Sequence, residues 1–251
     1  MPKNPYRPYT PDPDFIELLG DYSGNDVNGL GESEIRPPRM VWWAPDMGSA
    51  VFGEAQKWFY GHERPDEEMN ALRASRRTAV EAPLPAVAEQ IVERSPEAWT
   101  AALQSFVEAG DCEMTGVAHL KPEWVFDQEE VDLPHVVVLG VKHDYEELKH
   151  VPAIRGGKDV TRQYVRAAEV SKKVAAWLRD QGYRADAVTG PMTGKIPMIP
   201  PALECGFGEL GKHGSIINPE FGSAFRLGAV LTDAPFALTS RREFGIDDFC
   251  S

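Results

Sequence analysis

The sequence predicts an α+β fold, with helices packed on one mixed sheet. Three observations lead there. The run HVVVLGVKH (135–143) is apolar on both faces, as a central strand requires. The segment KDVTRQYVRAAEVSKKVAAWLRDQGY (158–183) carries Val160, Tyr164, Ala167, Val174 and Leu178 at spacings of three, four and seven, the buried stripe of a helix. The segment ADAVTGPMTGKIPMIPPAL (185–203) begins as a strand, then breaks at Gly190, Pro191, Gly194 and three more prolines. Long irregular loops of that kind in compact domains usually serve function.

Taken in order, residues 1–40 are rich in Pro, Gly and Asp and read as an extended arm. Trp42, Trp43, Phe52, Trp58, Phe59 and Tyr60 follow, either a hydrophobic clasp or the wall of an apolar channel. Residues 65–78 read as a charged, exposed helix, and AVAEQIVERS comes next. In PEAWTAALQSFVEAG, Ser95 is a good N-cap, Pro96 suits the first turn and Gly110 supplies the stop. EMTGVAHL (113–120) is a second β-rich run. On the long helix, Asp159 is the expected cap and Gly182 the expected end. The chain divides into an N-terminal extension with helices, 1–105, and a core, 106–251.

The balance of 26 Lys+Arg against 39 Asp+Glu leaves a net charge of −13, which disfavours nonspecific binding to nucleic acid or anionic membranes. No stretch approaches the ~20 apolar residues of a membrane helix. The N-terminus MPKNPYRPYTPDPDF has no apolar core and no twin-arginine pair, so it reads as neither signal nor anchor, and the expected location is cytoplasmic. The cysteines are Cys112, Cys205 and Cys250, with no C-x2-C pair. That excludes disulfide-rich and zinc-ribbon classes, and Cys112 and Cys205 read as small core residues. His119, His135, His143 and His150 show no metal spacing and read as ordinary.

GFGELGKHG (206–214) is the densest glycine stretch. It has the G-x-G-x-x-G form, but a dinucleotide fingerprint follows a strand and opens a helix. Here a short helix, PALECG, comes before it and a strand, SIIN, after it. Two readings remain: a tight turn between helix and strand, or a row of backbone N–H groups, helped by Lys212 and His213, facing a large ligand with phosphate and amide groups.

Four stretches, FVEAGDCEMTGVAHLKPEWVF (106–126), DLPHVVVLGVKHDYEELKHVPA (132–153), the helix around RQYVRAAEVSKKVAAWLRDQGYRADAV, and GFGELGKHGSIINPEFGSAFRLGAVLTDAPF (206–236), resemble in order and spacing the cobalamin-dependent reductive dehalogenases. Those enzymes share a superfamily with epoxyqueuosine reductase. Glu209, the form NPEFGSAFRL, and the absence of a carboxylate in TGPMTGKIPMIPP favour the dehalogenase side. The resemblance implies a nitroreductase-like core that binds a corrinoid with no protein ligand to cobalt. The absence of a D-x-H-x-x-G signature agrees with that.

What the resemblance implies residue by residue is specific. Tyr164 matches the family's proton donor and Arg226 its neighbouring cation. On their own, the first would be a packed core tyrosine and the second a strand-end ion-pair partner. A cation beside a tyrosine eases proton transfer to a developing carbanion. The corrinoid would be held by Thr193, Lys195, Gly208, Glu209, Leu210, Gly211, Lys212, His213, Gly214, Ser215 and Phe221. The implied reaction is reductive cleavage of a carbon–halogen bond in an organohalide.

The family also relays electrons through two [4Fe–4S] clusters held by Cys-rich runs. FGIDDFC, ending at Cys250, resembles the approach to the first of these runs, so the resemblance implies that Cys250 is either a cluster ligand in a longer parent or an inert tail thiol. Three scattered cysteines cannot hold such clusters in the usual way, so the chain reads as either a fragment or a natively short protein, the fragment favoured because the ending falls mid-motif, with electrons coming from a donor protein or a missing iron–sulfur domain. The alternatives are a noncatalytic corrinoid carrier, an epoxyqueuosine-reductase-like enzyme and, more distantly, a flavin nitroreductase relative.

Overall fold

The computed structural model describes residues 13, 14, 17, 34, 36–39, 66–107, 111–190, 194–246 and 248. The aromatic cluster between Trp42 and Tyr60 lies outside them, as do Gly110, Thr193 and Cys250. The chain forms two units, Met1–Pro65 and Asp66–Ser251. Residues 66–105, assigned by sequence to the extension, are thus part of the second unit.

In that unit, α1 (Glu67–Glu81) starts at Asp66, whose side chain accepts from the Met69 amide. Helix α2 (Pro96–Val107) starts at Ser95, whose hydroxyl accepts from the Ala98 amide, as its sequence predicts. Strands β1 (Met114–His119) and β2 (His135–Lys142) form an antiparallel pair. A short α3 (Tyr145–Leu148) leads into the long α4 (Ile154–Asp180), then β3 (Ala185–Val188) and α5 (Ile199–Glu204). Strands β4 (Glu209–Leu210) and β5 (Ile216–Ile217) make a small hairpin, and β6 (Phe225–Thr232) completes the main sheet.

The main sheet has the order β1-β2-β6-β3. The α+β expectation holds, but every described pairing in this sheet is antiparallel rather than mixed. The reason is topological. Crossover helix α4 makes β2 and β3 run the same way, yet β6 inserts between them and pairs antiparallel with both.

The long helix also begins earlier than expected. It starts at Ile154 with Ala153 at the cap, so Asp159 lies inside it and is fully buried. The glycines at 156 and 157 allow close packing within the helical turn; a Cβ on Gly156 would sit 2.6 Å from Val151. Of the expected stripe, Ala167, Val174 and Leu178 are buried, while Val160 and Tyr164 are half-buried.

Alternation along β2 sends residues into two cores. Val137, Leu139 and Val141 join α2 and α4 around Trp99, which meets Trp177, Tyr183 and Phe236 edge-on. Val136 and Val138 face the other way, toward Ile196, Ala202, Phe207 and Ile216. Helix α4 lies close on β6 at Gly228, where a Cβ would stand 2.3 Å from Ser171 Oγ and 2.8 Å from the Ala167 carbonyl. Gly228→Ala is therefore expected to destabilise the fold by about 1–3 kcal/mol through overpacking. Urea unfolding measures it, and an unchanged midpoint would contradict this packing.

Candidate functional site

The site forms where β2 ends and β6 begins. Val141 pairs with Arg226, and Ala224 accepts from the His143 amide, so His143 and Arg226 lie at the same end of the sheet. Helix α4 brings Tyr164 to that end. The Arg226 guanidinium stacks over the Tyr164 ring at 4.6 Å from its centroid, so the two residues singled out separately in sequence are in contact. Arg76, from α1, stacks on the same ring at 5.1 Å. The Nε atoms of Arg76 and Arg226 are both buried without a hydrogen-bond partner among the described residues.

Close enough to feel the Arg226 charge is a buried pair. His143 Nδ1 lies 2.6 Å from Asp159 Oδ2, and Gln163 Nε2 donates to the other carboxylate oxygen at 2.8 Å. Burial holds His143 below its ordinary range; Asp159 pulls it up, and the Arg226 charge pushes it down further. Burial is the larger effect, so the ring is neutral and donates Nδ1–H to the carboxylate. Sequence reading passed over this pair because His143 and Asp159 sit on different elements. Asp159 looked like a cap, and only the earlier start of α4 turns it inward.

The glycine stretch folds as the β4–β5 hairpin on the other face of the sheet. Several of its amides are engaged in that folding. Gly211 N donates to Ser215 O, Gly214 N to Gly211 O, and Phe207 N to Ala202 O. The glycine row is thus partly a turn, since these hydrogen bonds close it locally. Gly208 has φ +152°, and its Cβ would meet the Ile217 carbonyl at 2.2 Å, so this position demands glycine. Asn218 holds the turn after β5: it donates to Phe207 O at 2.7 Å and accepts from the Glu220 and Phe221 amides.

The remaining expected ligand residues divide between hairpin and loop. The Glu209 carboxylate accepts from the Ile246 amide at 2.7 Å. Leu210 is half exposed, and Lys212, His213, Gly214 and Ser215 are exposed. His213 Nε2 lies 2.7 Å from Ser223 Oγ, three residues before Arg226, which brings the hairpin to the same end of the sheet as the tyrosine. Phe221 is half-buried nearby in sequence. Lys195 is engaged elsewhere: its amine donates to the Glu130 carbonyl at 3.0 Å, on the segment leading into β2. A cavity of about 450 Å³ is lined there by His119, Glu129, Glu130 and Asp132 among others, without Tyr164 or Arg226.

Whether a corrinoid suits the hairpin can be asked of its surface. Cβ atoms built on Gly214 and Gly222 would meet nothing within 4 Å, so the backbone is bare and open there. Half-exposed Leu210 adds an apolar contact beside polar side chains. A broad amphipathic macrocycle fits such a surface. Among the described residues, no three His, Cys, Asp or Glu gather at one point; Cys250 lies outside them. Burial pushes the Cys112 thiol up to about 11 and Cys205 up to about 12, as expected of core thiols rather than ligands. Among the described residues, no helix is long and apolar enough to cross a membrane.

No family model matches the chain. The chain is nevertheless similar in sequence and fold to reductive dehalogenases. A tetrachloroethene reductive dehalogenase of Dehalobacter restrictus is 33% identical over 148 residues, 59% of this chain and 26% of that protein. One from Desulfitobacterium hafniense is 34% identical over 149 residues, with the same shares. The chain therefore spans about a quarter of the length of these curated relatives. A solved catabolic reductive dehalogenase superposes with a TM-score of 0.64 at 20% identity, over 72% of this chain and 28% of the other. A second solved reductive dehalogenase, described in terms of B12-dependent dehalogenation, gives 0.60 at 21%, over 72% and 27%. At those identities the superpositions establish the fold.

The neutral, buried His143 makes a testable statement about stability. An unfolded histidine titrates near 6.5. Below that pH the unfolded chain takes up a proton that folded His143 and His135, both lowered by burial, resist. Stability is thus expected to be full above pH ~6.5 and to fall as the pH drops below it. His143→Gln should flatten part of that slope and, by disturbing the buried Asp159, cost about 1–3 kcal/mol at pH 7.5. Urea midpoints at pH 7.5 and 5.5 decide it; identical slopes for both proteins would refute the assignment.

Proposed function

We propose that this chain is the corrinoid-binding part of a reductive dehalogenase that cleaves carbon–halogen bonds of an organohalide. The observation that carries the reading is the stacking of Arg226 on Tyr164 at 4.6 Å, in a chain similar to tetrachloroethene reductive dehalogenases. Bound cobalamin would supply the reducing chemistry that breaks the carbon–halogen bond. The hairpin from Gly208 to Ser215, with Phe221, would hold its rim, and Thr193 would contribute from the preceding loop.

The chain's own part is binding and proton supply. Tyr164 holds a proton on Oη for delivery to the substrate carbon. The phenolate left behind keeps its charge partly in the ring, and the guanidinium stacked on that ring stabilises it. His143 and Asp159 fix the end of β2 beside Arg226, so the cation keeps its place while the proton moves. Helix α4 and Gly228 set the distance between tyrosine and strand. Electrons would come from a donor protein or a separate iron–sulfur domain.

Reconstitution with cobalamin tests this directly. Binding near one equivalent, with a visible spectrum and Co(II) EPR showing no axial nitrogen at neutral pH, is expected. Tyr164→Phe should bind cobalamin as well as the parent chain. It should lose roughly a hundredfold or more of the halide release driven by a chemical reductant. A histidine-ligated spectrum, or no binding, would end this reading.

A further inference from the structure

The turns of α4 that carry Tyr164 are held differently from the rest of the helix. The apolar core around Trp99 takes α4 residues only from Ala167 onward. Before that point the side toward β2 is polar: Asp159, Gln163 and Arg166, at spacings of four and three, share one face of the helix. Arg166 links that face to both neighbouring strands. One terminal nitrogen donates to Gln163 Oε1 at 2.8 Å and to the Lys142 carbonyl at 3.4 Å. The other donates to Glu113 Oε1 at 3.2 Å and to the Asp111 carbonyl at 3.5 Å. Glu113, just before β1, accepts from the Lys142 amide at 2.8 Å with its second oxygen. Lys142 precedes His143, whose ring reaches Asp159, which in turn accepts from Gln163. The hydrogen bonds thus close a ring through the start of β1, the end of β2 and two turns of α4.

We propose that Arg166 is a positioning residue for proton transfer from Tyr164. This rests on the function proposed above and adds a residue to it. A helix is stiff, so pinning the face at 159, 163 and 166 sets its rotation, and with it the direction of Tyr164, about 100° round from Gln163. The same ring fixes the end of β2, where Val141 pairs with Arg226. Both members of the stacked pair therefore take their places from one network. Arg166 joins its two halves, the His143–Asp159–Gln163 chain and the Glu113 link to Lys142. Apolar packing is non-directional and would leave that rotation loosely set. A planar guanidinium with its fork of donors is directional.

Kinetics of the full chain reconstituted with cobalamin test it, as bromide release from a bromophenol driven by a chemical reductant. Arg166→Gln is expected to lower kcat roughly tenfold or more, with KM and cobalamin affinity unchanged, because a misdirected proton donor slows chemistry and not binding. In a Tyr164→Phe background the same substitution should cost nothing further, since Arg166 acts through the tyrosine. A general loss of folding would instead lower both backgrounds alike. Arg166→Lys should recover part of the rate, keeping the charge toward Glu113 but not the fork. Lys173→Gln, which removes an ion pair to Asp111 two turns along the helix, should leave the rate unchanged. If Arg166→Gln does not fold, Glu113→Gln replaces it, with a several-fold loss that again vanishes beside Tyr164→Phe. Unchanged kcat in Arg166→Gln, or equal fold losses with and without Tyr164, overturns the proposal. Where Tyr164→Phe loses activity and Arg166→Gln does not, only this proposal falls; where Tyr164→Phe keeps full activity, the broader reading falls with it.

Discussion

Strand β2 is buried on both sides along Val136–Val141, and the remaining architecture follows from that burial. A strand with no solvent face needs cover twice. On one side the cover is α2 and α4, gathered around Trp99 and Leu178. On the other it is α5 and the glycine hairpin, packed through Phe207 and Ile216. Gly116 and Gly140 let the Phe207 ring lie close to the sheet, at 3.0 and 3.3 Å from where their Cβ atoms would be. The two covers have different chemistry. One brings a tyrosine and the other a bare-backbone hairpin, and both reach the sheet end where β2 stops and β6 starts.

Much of this was legible in sequence because period and composition report burial. The runs at 113–120 and 135–143 became strands, and Ser95 capped its helix. The pairing of Tyr164 with Arg226 was legible only through the resemblance, since 62 residues separate them and no local pattern joins a helix face to a strand start. The start of α4 was misread because Gly156, Gly157 and Asp159 carry local signals for loop and cap. Tertiary packing against Val151 and burial beside His143 overrode those signals. Arg76 escaped notice for a related reason. An arginine in a charged helix looks solvated until the helix is docked, and docking depends on contacts far along the chain.

The glycine hairpin divides its two earlier readings. Several of its amides close the turn, while Gly214 and Gly222 leave main chain facing open space. Local hydrogen bonding gives the loop a fixed shape, and that fixed shape lets its surface be complementary to a rigid ligand. Such pre-organisation lowers the ordering cost of binding. A single sequence shows the glycines but not which amides the turn consumes.

The margins of the main sheet have a further consequence. Strand β1 lies at one edge, and its outward Val117 amide and carbonyl are both taken by Thr239. Strand β3 lies at the other edge, only four residues long, with the Arg179 guanidinium on the Ala185 carbonyl. Open edges recruit further strands, from other chains as readily as from this one. Here both margins are blunted by groups the chain supplies itself, which protects the sheet from edge-to-edge aggregation.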